Sequence, residues 1–259
     1  MRKLWLPFAA LLSIAAAAPC FAAGSPWSGT WKEDIAKDKL TGDTVVITAK
    51  GLGFHFSNGP IAYDFACDGK PYPTIGAGTI ACTATSDGGN ELVSATNGTI
   101  VSKQHRTFST DSKLMNMKTT VIEADGSTST VESVRRRKSG TTGLVGEWVD
   151  AKVAPTAPDV LTISVTGNMV HIEFLHSKMV VDAKLDGSDG KVVGPRVSPG
   201  TTYSYKSVSP NKLLFTGKLN GKVLAEGTLT LSPDGKSYTD VSWLAGKESE
   251  KTTEIFEKQ

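Results

Sequence analysis

Gly29-Thr30-Trp31, then Thr44-Val45-Val46-Ile47-Thr48-Ala49, then Phe54-His55-Phe56: this passage is written a second time as Gly146-Glu147-Trp148, Val160-Leu161-Thr162-Ile163-Ser164-Val165 and Val170-His171-Ile172. Val45, Ile47 and Ala49 fall on Leu161, Ile163 and Val165 at one offset, which also carries His55 onto His171 and, to within a residue, Trp31 onto Trp148. Solenoid repeats run to roughly 50 residues, and this period is more than twice as long. A duplicated domain is the reading that fits.

Apolar and polar residues alternate with a period of two over 44–50, 61–66, 118–123, 161–166, 170–174, 228–232 and 252–256, the pattern of half-buried strands. Asn58-Gly59, Asp68-Gly69, Asp125-Gly126, Asp186-Gly187, Asn220-Gly221 and Asp234-Gly235 punctuate the chain, as hairpin turns require residues that tolerate positive φ. The sequence therefore predicts an all-β antiparallel meander. The exception is 32–40, which reads as a short helical turn; Pro155 and Pro158 preclude a helix through the matching stretch. A meander of this size stacks two sheets or closes on itself, and closure removes the exposed edge strands.

Residues 1–23 have the form of a secretory signal peptide: Arg2-Lys3, the apolar stretch 4–18, then Pro19-Cys20-Phe21-Ala22-Ala23. Cleavage is expected after Ala22 or Ala23, leaving no membrane span, because the apolar run is short for a bilayer. A lipidated Cys20 is the competing reading, which Pro19 suits badly. The protein is thus expected to be periplasmic or secreted. Its two remaining cysteines, Cys67 and Cys82, are expected to form a disulfide bond there, with two unpaired thiols as the alternative. The intervening Asp68-Gly69-Lys70-Pro71-Tyr72-Pro73 reads as a loop, and closing a loop of this length is worth roughly 3 kcal/mol.

The chain of 259 residues carries 28 Lys and Arg against 26 Asp and Glu, a net charge of +2 that is spread along it and argues against nucleic acid as a partner. The one basic run, Arg135-Arg136-Arg137-Lys138, precedes a Ser139-Gly140-Thr141-Thr142-Gly143 linker and has no aromatic interleaving for base stacking. The sequence contains no Gly-x-Ser-x-Gly, no His-Glu-x-x-His and no phosphate-binding glycine loop, so it is expected not to be an enzyme. No cofactor or metal is expected, since His105 and His176, the only other histidines, lack ligand spacing.

Gly29-Thr30-Trp31 and Gly146-Glu147-Trp148 resemble the Gly-x-Trp opening of the lipocalin and fatty-acid-binding superfamily, the calycins. The resemblance implies that Trp31 and Trp148 each close one barrel end and that a basic residue of the last strand packs across each: Arg135, Arg136 or Arg137 in the first unit, Lys258 in the second. Ser109-Thr110-Asp111-Ser112-Lys113 and Ser232-Pro233-Asp234-Gly235-Lys236 also correspond, a layout similar to small secreted lipocalin-like repeats of bacterial proteins. The expected architecture is two tandem lipocalin-like β-barrels, 27–138 and 144–259, joined by a linker over 139–143.

Three residues are candidates for ligand contact. His55 and His171 stand at the same repeat position between apolar neighbours, so they are either lumen ligands or plain strand histidines facing away from Phe54 and Phe56, or from Val170 and Ile172. Trp243, in Val241-Ser242-Trp243-Leu244, lines a cavity or packs in the core. Asn97-Gly98-Thr99 spells a glycosylation acceptor and reads as a turn. The expected function is binding of a small, mainly apolar ligand in one or both barrels; if the interiors are filled, the alternative is a module that recognises a protein or envelope partner, gaining avidity from its two units.

Overall fold

The computed structural model describes residues 24–259 apart from Thr41 and Thr156; the expected signal peptide and Cys20 lie outside the described residues. β1 Gly29–Glu33 and β2 Lys39–Leu40 open the chain. They are followed by β3 Thr44–Lys50, β4 Gly53–Asn58, β5 Ile61–Phe65, β6 Asp68–Pro73, β7 Gly78–Ala84, β8 Asn90–Thr96, β9 Thr99–Phe108, β10 Leu114–Ile122 and β11 Thr128–Ser139. The second copy of the motif begins at β12 Gly146–Pro155 and runs through β13 Val160–Thr166, β14 Met169–Phe174, β15 Met179–Lys184, β16 Asp186–Val193, β17 Thr201–Ser209, β18 Lys212–Leu219, β19 Lys222–Leu231, β20 Ser237–Leu244 and β21 Thr252–Lys258. The chain is all-β, and every ladder is antiparallel. Tight turns carry the residues that positive φ demands, such as Asn97 and Gly98 at φ 50° and 76°.

Two segments differ from expectation. The stretch 34–38 is a single tight turn rather than a helix, closed by Lys37 N donating to Asp34 O at 2.9 Å, because β1 and β2 on either side of it pair with neighbouring parts of β21 and leave no room for a helix between them. Asp68–Pro73 is a strand rather than a loop: it pairs with β7 across a register shift between Asp68 and Pro71, which accommodates its two-proline edge.

The two sheets curl into two barrels, one closed and one nearly closed, and each takes its Gly-x-Trp strand from the other half of the sequence. One sheet runs β5-β4-β3-β12-β11-β10-β9-β8-β7-β6, so β12 completes the first barrel. The other runs from β13 to β21 and is closed by β1, which pairs with both β13 and β21. The contiguous stretches 27–138 and 144–259 therefore do not coincide with the barrels. The cause is loop length: after β11, the short 140–145 connection favours a return beside the strand just left, so Arg137 pairs with Trp148. β1 is left to close the second barrel, with Trp31 opposite Lys258.

The second barrel is a complete hydrogen-bonded ring. In the first, no ladder joins β5 to β6 among the described residues. The Cys67–Cys82 disulfide sits at that seam, tying the β5–β6 junction to β7. Matching Asp68↔Thr83 to Asp186↔Lys206 puts Leu185 and Tyr205 at the corresponding positions of the second barrel, where both belong to its apolar core. A closed ring has no seam for a disulfide to tie.

Each barrel is plugged at one end by its buried tryptophan and open at the other. Trp31 donates from Nε1 to Trp27 O at 3.0 Å, and Trp148 donates to Leu144 O at 2.9 Å. The open ends face each other and are joined loop to loop. Lys247 Nζ, between β20 and β21, donates to Thr44 O at 2.6 Å and Asn58 Oδ1 at 2.7 Å, and Glu250 accepts from Thr44 N at 2.8 Å. His176 meets Asp125 at 3.1 Å, Asn97 donates to Val197 O at 3.1 Å, and Arg196 donates to Ile122 O.

Candidate functional site: the lumen of the second barrel

Inward-facing positions of β13 to β21 are apolar on the plugged side, where Leu161, Ile163, Val170, Ile172 and Val181 pack around Trp31. Towards the open end the lining becomes aromatic. Tyr203 and Tyr205 follow each other on one face of β17 with ring centroids 6.5 Å apart, and Phe215 on β18 lies 6.2 Å from Tyr205 and 6.4 Å from Tyr203. Two glycines let these rings lie flat against the wall. A Cβ on Gly217 would meet Tyr203 Cζ at 3.2 Å, and one on Gly227 would collide with the Phe215 ring. Flattened rings leave space, and a cavity of about 190 Å³ remains between them and Met179, Phe174 and Tyr238.

The mouth of this cavity is acidic. Asp240 on β20 and Glu254 on β21 are directly opposed cross-strand neighbours facing inward, and Asp159 lies beside them at the start of β13. Burial, then Glu254, pushes the Asp240 carboxyl up to about 7; burial, then Asp38 and Asp159, pushes Glu254 up to about 7. Glu33, at the end of the exchanged β1, accepts from Asp159 N at 2.7 Å and is raised to about 8, chiefly by burial. Burial also raises Asp159, against the pull of His176. Asp240 Oδ1 and Asp38 Oδ2 are buried without a hydrogen-bond partner. The hydroxyls of Tyr205 and Tyr238 make no hydrogen bond among the described residues, although these side chains are only 4% and 3% exposed.

The cavity shares lining residues with the spaces between the barrels. Glu254 also lines a chamber of about 500 Å³ whose far wall is Asp43, Asn58 and Asp150 of the first barrel. Met179 and Tyr203 likewise border a second opening of about 250 Å³ beside Ile75 and Val197.

Trp243 is on the wall of the larger chamber, with Lys251 Nζ 5.0 Å from its ring and its indole nitrogen buried without a partner. His55 and His171 are elsewhere. Each projects from the outer face of its barrel and meets a cross-strand aspartate through Nδ1, Asp64 and Asp182 respectively, both at 2.7 Å. Their apolar neighbours take the inward positions, so neither ring reaches a lumen, and the lumen-ligand reading fails for both. Trp148 is crossed by Arg137, whose Cζ stands 4.0 Å from the ring, and Trp31 by Lys258 at 5.0 Å. Sequence reasoning missed the aromatic box and the carboxyls. Their signal was a carboxylate interrupting an inward-facing apolar row, in Tyr238-Thr239-Asp240 and in Glu254-Ile255-Phe256.

Among the described residues no group of three His, Cys, Asp or Glu side chains is arranged to hold a metal ion, and no helix is long and apolar enough to cross a membrane. Compared with family models, with curated proteins and with solved structures, the chain matches none.

Proposed function

We propose that this is an exported, non-catalytic, calycin-like binding protein that holds a small, mainly apolar molecule in its second barrel. The observation that carries the reading is the unfilled lumen: a barrel of this strand number can be packed solid by its own side chains, and here glycines at 217 and 227 draw the aromatic rings back instead. In the first barrel Ile80, Cys82 and Leu92 stand at the positions of Tyr203, Tyr205 and Phe215, and that barrel's own rings pack on one another, Phe56 on Tyr63 at 4.7 Å and Phe54 on Phe65 at 5.4 Å. The disulfide agrees with an oxidising compartment.

Native mass spectrometry of the protein purified from its own host, set against the denatured mass, tests this. The expected result is an adduct released on denaturation and absent from Met179→Trp, a substitution that puts an indole into the cavity from a residue on its wall. A bare mass, together with no uptake of a neutral aromatic probe such as indole, would overturn the reading in favour of a module acting through its surface.

A further inference from the structure

This inference rests on the second lumen being a ligand site and concerns the head group of that ligand. Register aligns the barrels strand for strand, so each is a control for the other. Asp240, opposite Glu254 and beside Leu229, corresponds to Met117, opposite Ser133 and beside Arg106. Phe256, opposite Tyr238 and beside Glu33, corresponds to Arg135, opposite Met115 and beside Asp150.

Lumen charge is therefore inverted between the copies. In the first barrel two arginines face inward: Arg135 holds Asp150 at 2.6 Å, and buried Arg106 donates to Gln104 Oε1 at 2.5 Å, its only hydrogen-bond partner among the described residues. In the second, both arginine positions are apolar, and two carboxyls occupy the places of Met117 and Ser133. Glu33, the counterpart of Asp150, has no arginine opposite it. No lysine or arginine pairs with Asp240, Glu254, Asp159 or Glu33 among the described residues. Buried carboxyls without a cation are costly, and a fold that keeps them beside unpartnered Tyr205 and Tyr238 hydroxyls leaves that charge for something else to neutralise.

We propose that the second lumen binds a small organic cation, a protonated amine on an apolar or aromatic body, with Asp240 and Glu254 taking the ammonium and Tyr203, Tyr205 and Phe215 lining the body. Aromatic faces attract alkylammonium groups and are poor ligands for a hard metal ion, which needs several oxygens at fixed geometry. The tyrosine hydroxyls supply acceptors for N–H groups that the two carboxylates do not reach.

Calorimetric titration of the full-length protein with 2-phenylethylamine and with its neutral counterpart 2-phenylethanol separates this proposal from the reading beneath it. The measurement is made above the range in which Asp240 and Glu254 titrate and below that of an alkylamine. The amine is expected to bind at least about tenfold more tightly, equivalent to about 1.4 kcal/mol. In Asp240→Asn/Glu254→Gln the amine should fall to the level of the alcohol while alcohol binding persists, which also shows that the variant is folded. Tyr205→Phe should weaken the amine several-fold and leave the alcohol unchanged. Equal affinity of the two probes for the native protein, or a preference that survives the double substitution, overturns the cation proposal and leaves the lumen reading standing. Failure of both probes to bind overturns both.

Discussion

Gly146 lacks a side chain because the side chain of Arg137 needs the space. Its φ is +147°, and a Cβ there would sit against the Ser139 carbonyl and 2.9 Å from Arg137 Nη1. Gly29 repeats the arrangement, with Lys258 Cε 2.5 Å from the position a Cβ would take. In each barrel the basic side chain passes over the glycine onto the tryptophan beyond, so Gly-x-Trp and the last-strand cation form one device. The sequence left Arg135, Arg136 and Arg137 open because Arg135 and Arg137 share one face of β11, so strand alternation alone does not choose between them. Arg137 also donates from Nε to Ser112 O at 2.7 Å, from Nη1 to Val145 O at 2.5 Å and from Nη2 to Gly143 O at 2.7 Å. A lysine cannot hold three divergent carbonyls and cover an indole at once. Arg137→Lys is accordingly expected to cost about 1–3 kcal/mol in urea unfolding, with increased solvent quenching of Trp148. Unchanged stability would show that the plug does not depend on the guanidinium.

At the scale of elements, the strands were legible and their assignment to barrels was not. The period-two pattern locates β3, β13 and β14 closely. It cannot say which barrel a Gly-x-Trp strand joins, because β1 and β12 carry the same signature and either barrel accepts it. The deciding quantity is the 140–145 loop, too short to favour anything but return along β11. Trp31→Ala should therefore strip hydrogen-exchange protection from β13 to β21, more than a hundred residues away in sequence, while β3 to β11 keep theirs; the expected loss is about 3–5 kcal/mol. Deprotection of β3 to β11 instead would mean that β1 closes the first barrel. The disulfide gives a second element-scale prediction. Because it ties a seam with no ladder between β5 and β6, Cys67→Ser/Cys82→Ser should destabilise the first barrel by roughly 3 kcal/mol. Faster exchange should be confined to β5, β6 and β7. Equal loosening of the second barrel would show that the seam is not what the bridge holds.

At the scale of the whole molecule, the exchanged strands tie two plugged barrels mouth to mouth, and the acidic cluster lies where they meet. Its members come from residues 33, 38, 159, 240 and 254, brought together by strand exchange and barrel closure, which is why no local motif announced them. The cluster makes stability fall as pH rises. Glu33, Asp240 and Glu254 are held at about 8, 7 and 7, above the ordinary carboxylate range, so between that range and about pH 8 the folded protein keeps protons the unfolded chain has released. Their contribution is fully present below the unfolded carboxylate values and is lost as pH climbs through 7 to 8. Surface carboxyls oppose this only in acid: Asp64, paired with Lys50 and His55, and Asp125, bonded to Ser127 and His176, are depressed, and their contribution disappears as pH drops below the ordinary range. The urea midpoint of the second barrel should accordingly peak in mildly acidic solution and decline to a plateau above about pH 8, a loss on the order of a few kcal/mol. Asp240→Asn/Glu254→Gln, which fixes two of the carboxyls in an uncharged form, should flatten the decline. An organic cation that occupies the lumen should restore the midpoint on the alkaline plateau, since it binds the folded state alone. A midpoint that is level or rises across that interval would mean the carboxyls are already neutralised within the protein, and the second barrel would then have no unbalanced charge to offer a ligand.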